Sequence, residues 1–511
     1  MGGEMLSVVL AGAVSGVEGF VVRVEADVSR GLPSFSTVGL GDSAVREGRD
    51  RVGAAIRNAG FRFPDDRVTV NLAPADVRKE GASFDLPIAL SVLAATGQVD
   101  ASRLARVLVL GELALDGSTR PVRGVLPVAI AAAREGLGGI ILPPCNAREA
   151  AVAGGLEVLP AASLRSAARI LGGGEPDAVP DPRPAVRVSA GDLRDVRGQS
   201  VPRRALEIAA AGGHNILFVG PPGVGKTMLA RRLADVLPAL GHEDAIVATM
   251  VHSVAGLLDP GSSLVSSPPF RSPHHSTSMA GLLGGGSVPH PGEASLAHGG
   301  ILFLDELPEF RRDALEGLRQ PMEDGEVTIV RASGTTRLPA RFTLAASMNP
   351  CPCGYSGDAR RPCTCTPSQL KRYRARVSGP LLDRIDVRVF VPRPTLDELE
   401  SGAEGECSAT VRGRIVSART LQERRYAGET GGATNADVPI RSLRDAGRFT
   451  DGAVATVRSA AERLALSPRA YHRALRVART VADLDGASDV ARQHALEALV
   501  YREQMADGVG F

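Results

Sequence analysis

The octapeptide Gly220-Pro221-Pro222-Gly223-Val224-Gly225-Lys226-Thr227 follows the apolar run Ile216-Leu217-Phe218-Val219. It opens a segment in which Leu229, Leu233 and Val236 recur at helical spacing. A strand, a Gly-rich loop and a helix in that order are what the pattern G-x-x-x-x-G-K-[ST] needs in order to cradle phosphate. Glycines let successive backbone N–H groups turn inward as a nest, and the helix N-terminus adds a favourable partial charge. In that frame Lys226 reaches the β- and γ-phosphates and the Thr227 hydroxyl holds Mg²⁺. The ligand predicted is a nucleoside triphosphate, read here as ATP.

Two carboxylates and an amide complete the chemistry. Ile301-Leu302-Phe303-Leu304 is a second unbroken apolar run, and it ends in Asp305-Glu306. Such a run reads as a parallel strand buried on both faces, which delivers its last residues to the ligand edge of a sheet. Asp305 anchors Mg²⁺ through its water shell there, and Glu306 stands as the general base that polarises the attacking water. A third strand, predicted over 342–347, leads to Asn349, an amide suited to orienting that water against the γ-phosphate.

Four of the six cysteines lie in Cys351-Pro352-Cys353 and Cys363-Thr364-Cys365. A reducing compartment disfavours disulfides. Four thiolates can surround Zn²⁺ tetrahedrally and pin a short polar loop that has no apolar core. We therefore expect a structural Zn²⁺ on Cys351, Cys353, Cys363 and Cys365. The C-x-C pairs are tighter than the usual metal spacing, and reduced, unligated thiols are the competing reading.

The elements that position these groups follow from composition and punctuation. The chain has 511 residues, 44% of them hydrophobic and 23% charged, enough for three ordinary soluble domains. No apolar stretch reaches membrane-spanning length, and Glu4 with no basic run around it argues against a leader, so the expectation is a cytoplasmic protein without a membrane partner. The formal net charge is only +2, so any nucleic-acid affinity must come from a local stripe. Gly-Gly-Gly and a run of prolines mark 172–190 as a linker. The fold class expected is α/β, with an N-terminal α/β domain over 1–171, an ATPase core over 191–394 and a helical lid over 395–511. Residues 454–466 and 469–484 carry helical spacing in that lid.

Pro269-Phe270-Arg271-Ser272-Pro273-His274-His275, Pro291-Gly292-Glu293, Ser295-Leu296-Ala297-His298, Glu323-Asp324-Gly325-Glu326 and the segment around Leu381-Leu382-Asp383-Arg384-Ile385-Asp386 resemble the ComM/YifB family. That family belongs to the magnesium-chelatase-related AAA+ ATPases, and the likeness runs through nearly the whole chain. It implies a homo-hexameric, ATP-driven DNA motor, a helicase that promotes branch migration of single-stranded or branched DNA during recombination of transforming DNA. It also implies that Arg384 is an arginine finger for the neighbouring subunit; the competing reading is a local ion pair with Asp383 or Asp386. Arg469, at the start of a lid helix, becomes a second sensor once the lid folds back on the nucleotide, with Arg473 one turn on as the alternative.

Residues 326–338 read as two short β-branched strands around a Ser-Gly turn. They are similar to the pre-sensor hairpin of MCM helicases, which places Arg331 on DNA and Arg337 across the hairpin. The segment 252–298 is too long for a plain connection. By the same resemblance it holds a second pore insertion, where His274 and His275 could assist.

In the N-terminal part, Lys79-Glu80-Gly81-Ala82-Ser83-Phe84-Asp85 with Gly111-Glu112-Leu113 and Gly124-Val125-Leu126 resemble the Lon-protease fold. Ser83 stands where that family keeps its nucleophile, but Leu126 stands where its lysine base belongs, and no lysine occurs between Lys79 and Lys226. A serine without its base is a weak nucleophile. The domain is therefore expected to be proteolytically inactive, with Ser83 capping a helix over 86–95. The competing functions are a motor subunit of a chelatase that inserts Mg²⁺ or Co²⁺ into a tetrapyrrole, and an ATP-dependent Lon-like protease.

Overall fold

Ile216–Val219 and Ile301–Leu304 are both strands with every residue fully buried, as unbroken apolar runs require. They belong to a five-stranded sheet in which every pairing is parallel. The computed structural model describes residues 5–39, 43–74, 79, 81–181, 191–259, 261–286, 289–331, 334–358, 360–395, 397–398, 405–428 and 434–503.

In chain order the strands of the central sheet are Ile216–Val219, Phe270–Arg271, Ile301–Leu304, Thr343–Met348 and Val387–Phe390. Across the sheet they lie second, third, fourth, first, fifth. The order reverses between the first and fourth strands, whose carboxyl ends are Val219 and Met348. An open parallel sheet binds its ligand at such a crevice. The phosphate loop and Asn349 both emerge there.

The segment 252–298 is no plain connection. It carries the edge strand Phe270–Arg271, the helix Met279–Leu283 and a small hairpin pairing Gly284–Gly285 with His290–Pro291. The fourth strand runs Thr343–Met348, one residue displaced at each end from the predicted 342–347.

The N-terminal part has its own seven-stranded mixed sheet, built on the long antiparallel pair Met5–Ser15 and Glu18–Ser29. The helix Asp85–Ala95 packs on it and is buried almost throughout, so it lacks the amphipathic stripe of a surface helix. Ser83 does not cap this helix. It sits in a single 3-10 turn, Ala82–Phe84, which sets the helix start at Asp85 and leaves the N-cap position to Phe84. Asp85 instead receives Arg51 Nε at 2.9 Å. Ser83 lines a cavity of about 450 Å³ with Glu112, Arg123 and His290, and no lysine is among the lining residues. Leu126 is fully buried and its N–H donates to Glu149 at 2.9 Å.

The described part of the 172–190 stretch is not free. Asp177 accepts the Ala162 N–H at 2.7 Å and pairs with Arg169 at 2.6 Å, which ties the first half of that stretch to the N-terminal sheet. Residues 182–190 lie outside the described residues. The C-terminal part is helical: Ser408–Arg425, Ile440–Ala446, Asp451–Arg463, Pro468–Leu484 and Arg492–Glu503. Ser467 caps the fourth of these by accepting the Ala470 N–H, with Pro468 in the first turn. No described helix is long and apolar enough to cross a membrane.

Candidate functional site

The loop after Val219 turns through Gly223 and Gly225, with φ of 79° and 94°, conformations that L side chains rarely adopt. Gly225 then leads directly into the helix Lys226–Val236. Lys226 Nζ donates to the carbonyls of Gly220 at 2.7 Å and Pro221 at 2.8 Å, and to Asn349 Oδ1 at 3.1 Å. Burial pushes its ammonium down to about 8, against the opposite pull of Asp305 and Glu306.

Thr227 Oγ1 donates to Asp305 Oδ2 at 2.8 Å. The other Asp305 oxygen accepts from Ser347 Oγ and from the Glu306 N–H at 3.1 Å. A hydroxyl and a carboxylate converging in this way are hard oxygen donors of the kind Mg²⁺ takes beside substrate phosphates. Lys226, Thr227, Asp305 and Asn349 thus meet at one edge of the sheet. The sequence reading missed Ser347, a fully buried residue of the fourth strand whose hydroxyl fixes the Asp305 carboxylate.

Glu306 has a φ of 54°, one of four non-glycine residues with positive φ among those described. That strain, sustained only where surroundings over-determine it, turns the side chain off the strand. It is 61% exposed, with His275 Nδ1 3.8 Å from its carboxylate. His275 therefore stands beside Glu306, while His274 bonds Ser276 Oγ at 2.7 Å. Glu306 and Asn349 open onto a cavity of about 410 Å³ that Arg372 and Arg376 also line. Gln199, likewise missed, donates to the Val224 carbonyl of the phosphate loop at 2.8 Å. It borders a cavity of about 420 Å³ with Pro202, Phe390, Pro392 and Glu398.

The four cysteines converge. All their sulfurs lie within 4.8 Å of one another, with Cys351–Cys353 at 3.3 Å, Cys353–Cys363 at 3.6 Å and Cys363–Cys351 at 3.7 Å. Tetrahedral Zn²⁺ with ~2.3 Å bonds to sulfur sets sulfurs ~3.8 Å apart, so the donor set fits that ion. The loop also reaches the phosphate loop: a Cβ at Gly354 would stand 2.8 Å from Pro222 Cδ.

The arginines lie elsewhere. Asn215, directly before the first strand, bonds the Arg384 carbonyl at 3.0 Å, and Asp386 accepts the Asn215 N–H at 3.0 Å. Arg384 therefore sits at the amino end of the strands, opposite Lys226. Its side chain is 4% exposed and gives one nitrogen to Glu323 and another to the Pro380 carbonyl at 2.8 Å. Its Nε makes no hydrogen bond among the described residues, and burial holds its pKa below the usual value.

The local partner is thus Glu323, neither Asp383 nor Asp386. Asp386 is taken by Arg473 at 2.5 Å. Arg469, 63% exposed, is 3.7 Å from Glu323. The expected folding of the lid back on the nucleotide does not bring either arginine to the phosphate loop within this chain. The helix Pro468–Leu484 docks at the amino ends of the strands through Arg473–Asp386 and His214–Thr480, and that docking holds Arg469 at the edge away from Lys226.

Glu326–Arg331 and Gly334–Pro339 form a hairpin with Arg331 opposite Gly334 and Thr328 opposite Arg337. Side chains alternate along a strand. Arg331 therefore shares a face with Val327 and Leu338, and Arg337 lies on the other face beside Glu326 at 3.7 Å. Val327 and Leu338 anchor the base in the core, while Val330 near the tip is 72% exposed. The second hairpin lies alongside: a Cβ at Gly285 would stand 3.8 Å from Arg331 Nη2.

Comparison with known proteins covers 97% of the chain. The family described as magnesium chelatase, subunit ChlI, matches residues 192–399, and its C-terminal counterpart matches residues 405–502. The family described as subunit ChlI of Mg-chelatase matches residues 24–146. The chain is 44% identical over 509 residues to the competence protein ComM of Haemophilus influenzae, covering 97% of each. It is 42% identical over 500 residues to the uncharacterized protein YifB of Escherichia coli, again covering 97% of each. A partial likeness, 30% identity over 156 residues, or 28% of this chain and 27% of the other, links it to Lon protease 2 of Bacillus subtilis. With its parallel ATPase sheet, Lon-like N-terminal part and helical C-terminus, the chain belongs to the ComM/YifB family of magnesium-chelatase-related AAA+ proteins.

Proposed function

We propose that this chain is the protomer of a homo-hexameric ATPase that drives branched or single-stranded DNA along the axis of its ring, and so moves junctions during recombination of transforming DNA. One observation carries the reading: Lys226, Thr227, Asp305 and Asn349 stand at one end of the parallel strands, and Arg384 with Arg469 stands at the other. A single chain then holds two half-sites that face apart, and a head-to-tail ring completes each between neighbours.

At each junction the phosphate loop binds the triphosphate, and the cavity beside Gln199 takes the base. Thr227 and Asp305 would hold Mg²⁺, which neutralises phosphate charge. Glu306 draws the proton from water that Asn349 orients, and Arg384 and Arg469 of the neighbour stabilise the charge on the transferring phosphoryl group. Cys351, Cys353, Cys363 and Cys365 would hold Zn²⁺ as a structural tether under the phosphate loop.

The two adjacent hairpins are the DNA-facing elements, with Arg331 in the lead. Repeated around a ring, they concentrate positive charge in a chain whose net charge is only +2. The domain limits proposed are 1–171, 191–394 and 395–511. The word competence in the name of the Haemophilus influenzae relative supports the DNA role.

The test is ATP hydrolysis and branch migration on synthetic junctions. Lys226→Ala should abolish hydrolysis, and Arg331→Ala should lose migration while keeping basal turnover. Turnover indifferent to DNA would remove the proposal. The family descriptions favour a second reading, a chelatase motor subunit. Stimulation by a tetrapyrrole-binding partner with no binding to forked DNA would establish that reading in its place.

A further inference from the structure

Arg384 is assigned to a neighbour's phosphate, yet its side chain is 4% exposed and held by a carboxylate of its own chain. That carboxylate, Glu323, stands 43% exposed between Arg384 and Arg469 and touches both. It projects from the short helix Pro321–Asp324, which meets the hairpin strand Glu326–Arg331 through Gly325 at a φ of 69°. A cavity of about 780 Å³, lined by Glu323, Arg469, Arg473 and Asp386, opens in front of the group. Arg384 Nε is buried without a hydrogen bond among the described residues, so the guanidinium still has a donor to give.

We propose that Glu323 is a latch on the two arginines, released by the DNA-facing hairpin. While Glu323 holds Arg384, the guanidinium is neutralised and cannot serve an incoming phosphate. Glu323 and Glu326 are separated by two residues, so a shift of the hairpin as it engages DNA displaces the helix Pro321–Asp324. Displacement withdraws the carboxylate, and the freed Arg384 and Arg469 turn to the γ-phosphate of the adjoining protomer. Glu323 is a positioning residue in this scheme, touching neither ATP nor DNA. The inference rests on the DNA-motor reading above and adds to it how polynucleotide contact is converted into hydrolysis.

The test uses the full-length chain, with ATP turnover measured with and without a synthetic forked DNA. Glu323→Gln keeps the shape and removes the charge. A part-exposed ion pair is worth a modest factor, so basal turnover should rise about five-fold and the ratio of DNA-stimulated to basal turnover should fall by a similar factor. In Glu323→Gln/Arg384→Ala the basal rise should vanish, and Glu323→Asp should restore the low basal rate. Melting temperatures matched to the parent chain exclude a folding defect.

An unchanged stimulation ratio in Glu323→Gln, or a basal rate that falls with it, overturns the latch. Arg384→Ala separates the two claims. If that variant hydrolyses ATP normally, the finger assignment underneath has failed; if it is inactive while Glu323→Gln shows no gain, the latch alone has failed.

Discussion

Two inactive variants of this protein should repair one another. The strand Ile216–Val219 separates Asn215, which holds the Arg384 carbonyl, from the loop that carries Lys226. Four residues at ~3.3 Å each put these edges ~13 Å apart, several times the reach of a hydrogen bond. Lys226→Ala therefore damages the site that a chain offers to its neighbour's arginines, and Arg384→Ala damages what it lends to the next site. Each variant alone should lose turnover by a factor of about 10³ or more. In an equimolar mixture that assembles at random, half the loops and half the facing arginines are intact, so about one junction in four is complete. Phosphate release at saturating ATP and DNA should then recover to about a quarter of the parent rate, or somewhat less if junctions fire in concert. Subunit exchange would be checked by native mass spectrometry of differently tagged chains. A fully mixed population no more active than the separate variants would refute the division of the site between protomers, because an arginine acting within its own chain cannot be supplied by another.

Further outcomes follow from burial and charge. With Lys226 held down to about 8 by burial, its charged form is lost as pH rises through that value. ATP affinity should weaken from about pH 7 to about pH 9, and binding near pH 8 should take up about half a proton, read by calorimetry in two buffers of different ionisation enthalpy. His214 is fully buried and pushed down to about 4 from 6.5, chiefly by desolvation. The unfolded chain binds that proton first as pH falls, so stability should drop by ~3 kcal/mol between about pH 6.5 and about pH 4. His214→Gln should flatten that limb of the urea-midpoint profile. Cys353→Ser should cost the chain its bound zinc and lower its melting temperature; a parent chain purified from zinc-supplemented cells without stoichiometric metal would defeat the assignment.

The nucleotide edge was legible in sequence because its chemistry depends on local spacing: a Gly-rich turn between strand and helix, and carboxylates at the end of an apolar run. The sheet's reversal point was not legible in the same way, because knowing that three strands end in Lys226's loop, Asp305 and Asn349 does not say which of them are neighbours. What sequence hid depends on contacts between distant residues. Ser347 reads as one more residue of a buried strand, and only the Ile301–Leu304/Thr343–Met348 pairing brings it to Asp305. Glu323 is 61 residues from Arg384, so spacing offered only Asp383 and Asp386 as partners. Ser83 has the residue type of a cap, but an intervening 3-10 turn moved the helix start past it. For the lid, helical periodicity revealed the helices and nothing about which end of the sheet they would cover.

The N-terminal part is bound to the moving elements more tightly than a tethered module would be. Glu149 is buried, its pKa raised by desolvation, and it accepts Ser253 Oγ from the helix His242–Ala255 of the ATPase part. Sliding the two parts apart would strip a partner from a buried carboxylate, which costs far more than breaking a surface pair. Nearby, the turn between the first two strands presses on the hairpin: a Cβ at Gly16 would stand 2.5 Å from Thr336 Cγ2, and Val17 is buried among residues of the ATPase core. Thr336 faces Ile329 two residues from Arg331. A hairpin that swings must therefore either carry the Lon-like sheet with it or bend beyond this contact. The latch on Arg384 needs the base of the hairpin to move, because the helix Pro321–Asp324 joins it there through Gly325, so the first alternative applies and the Lon-like sheet shifts together with the hairpin.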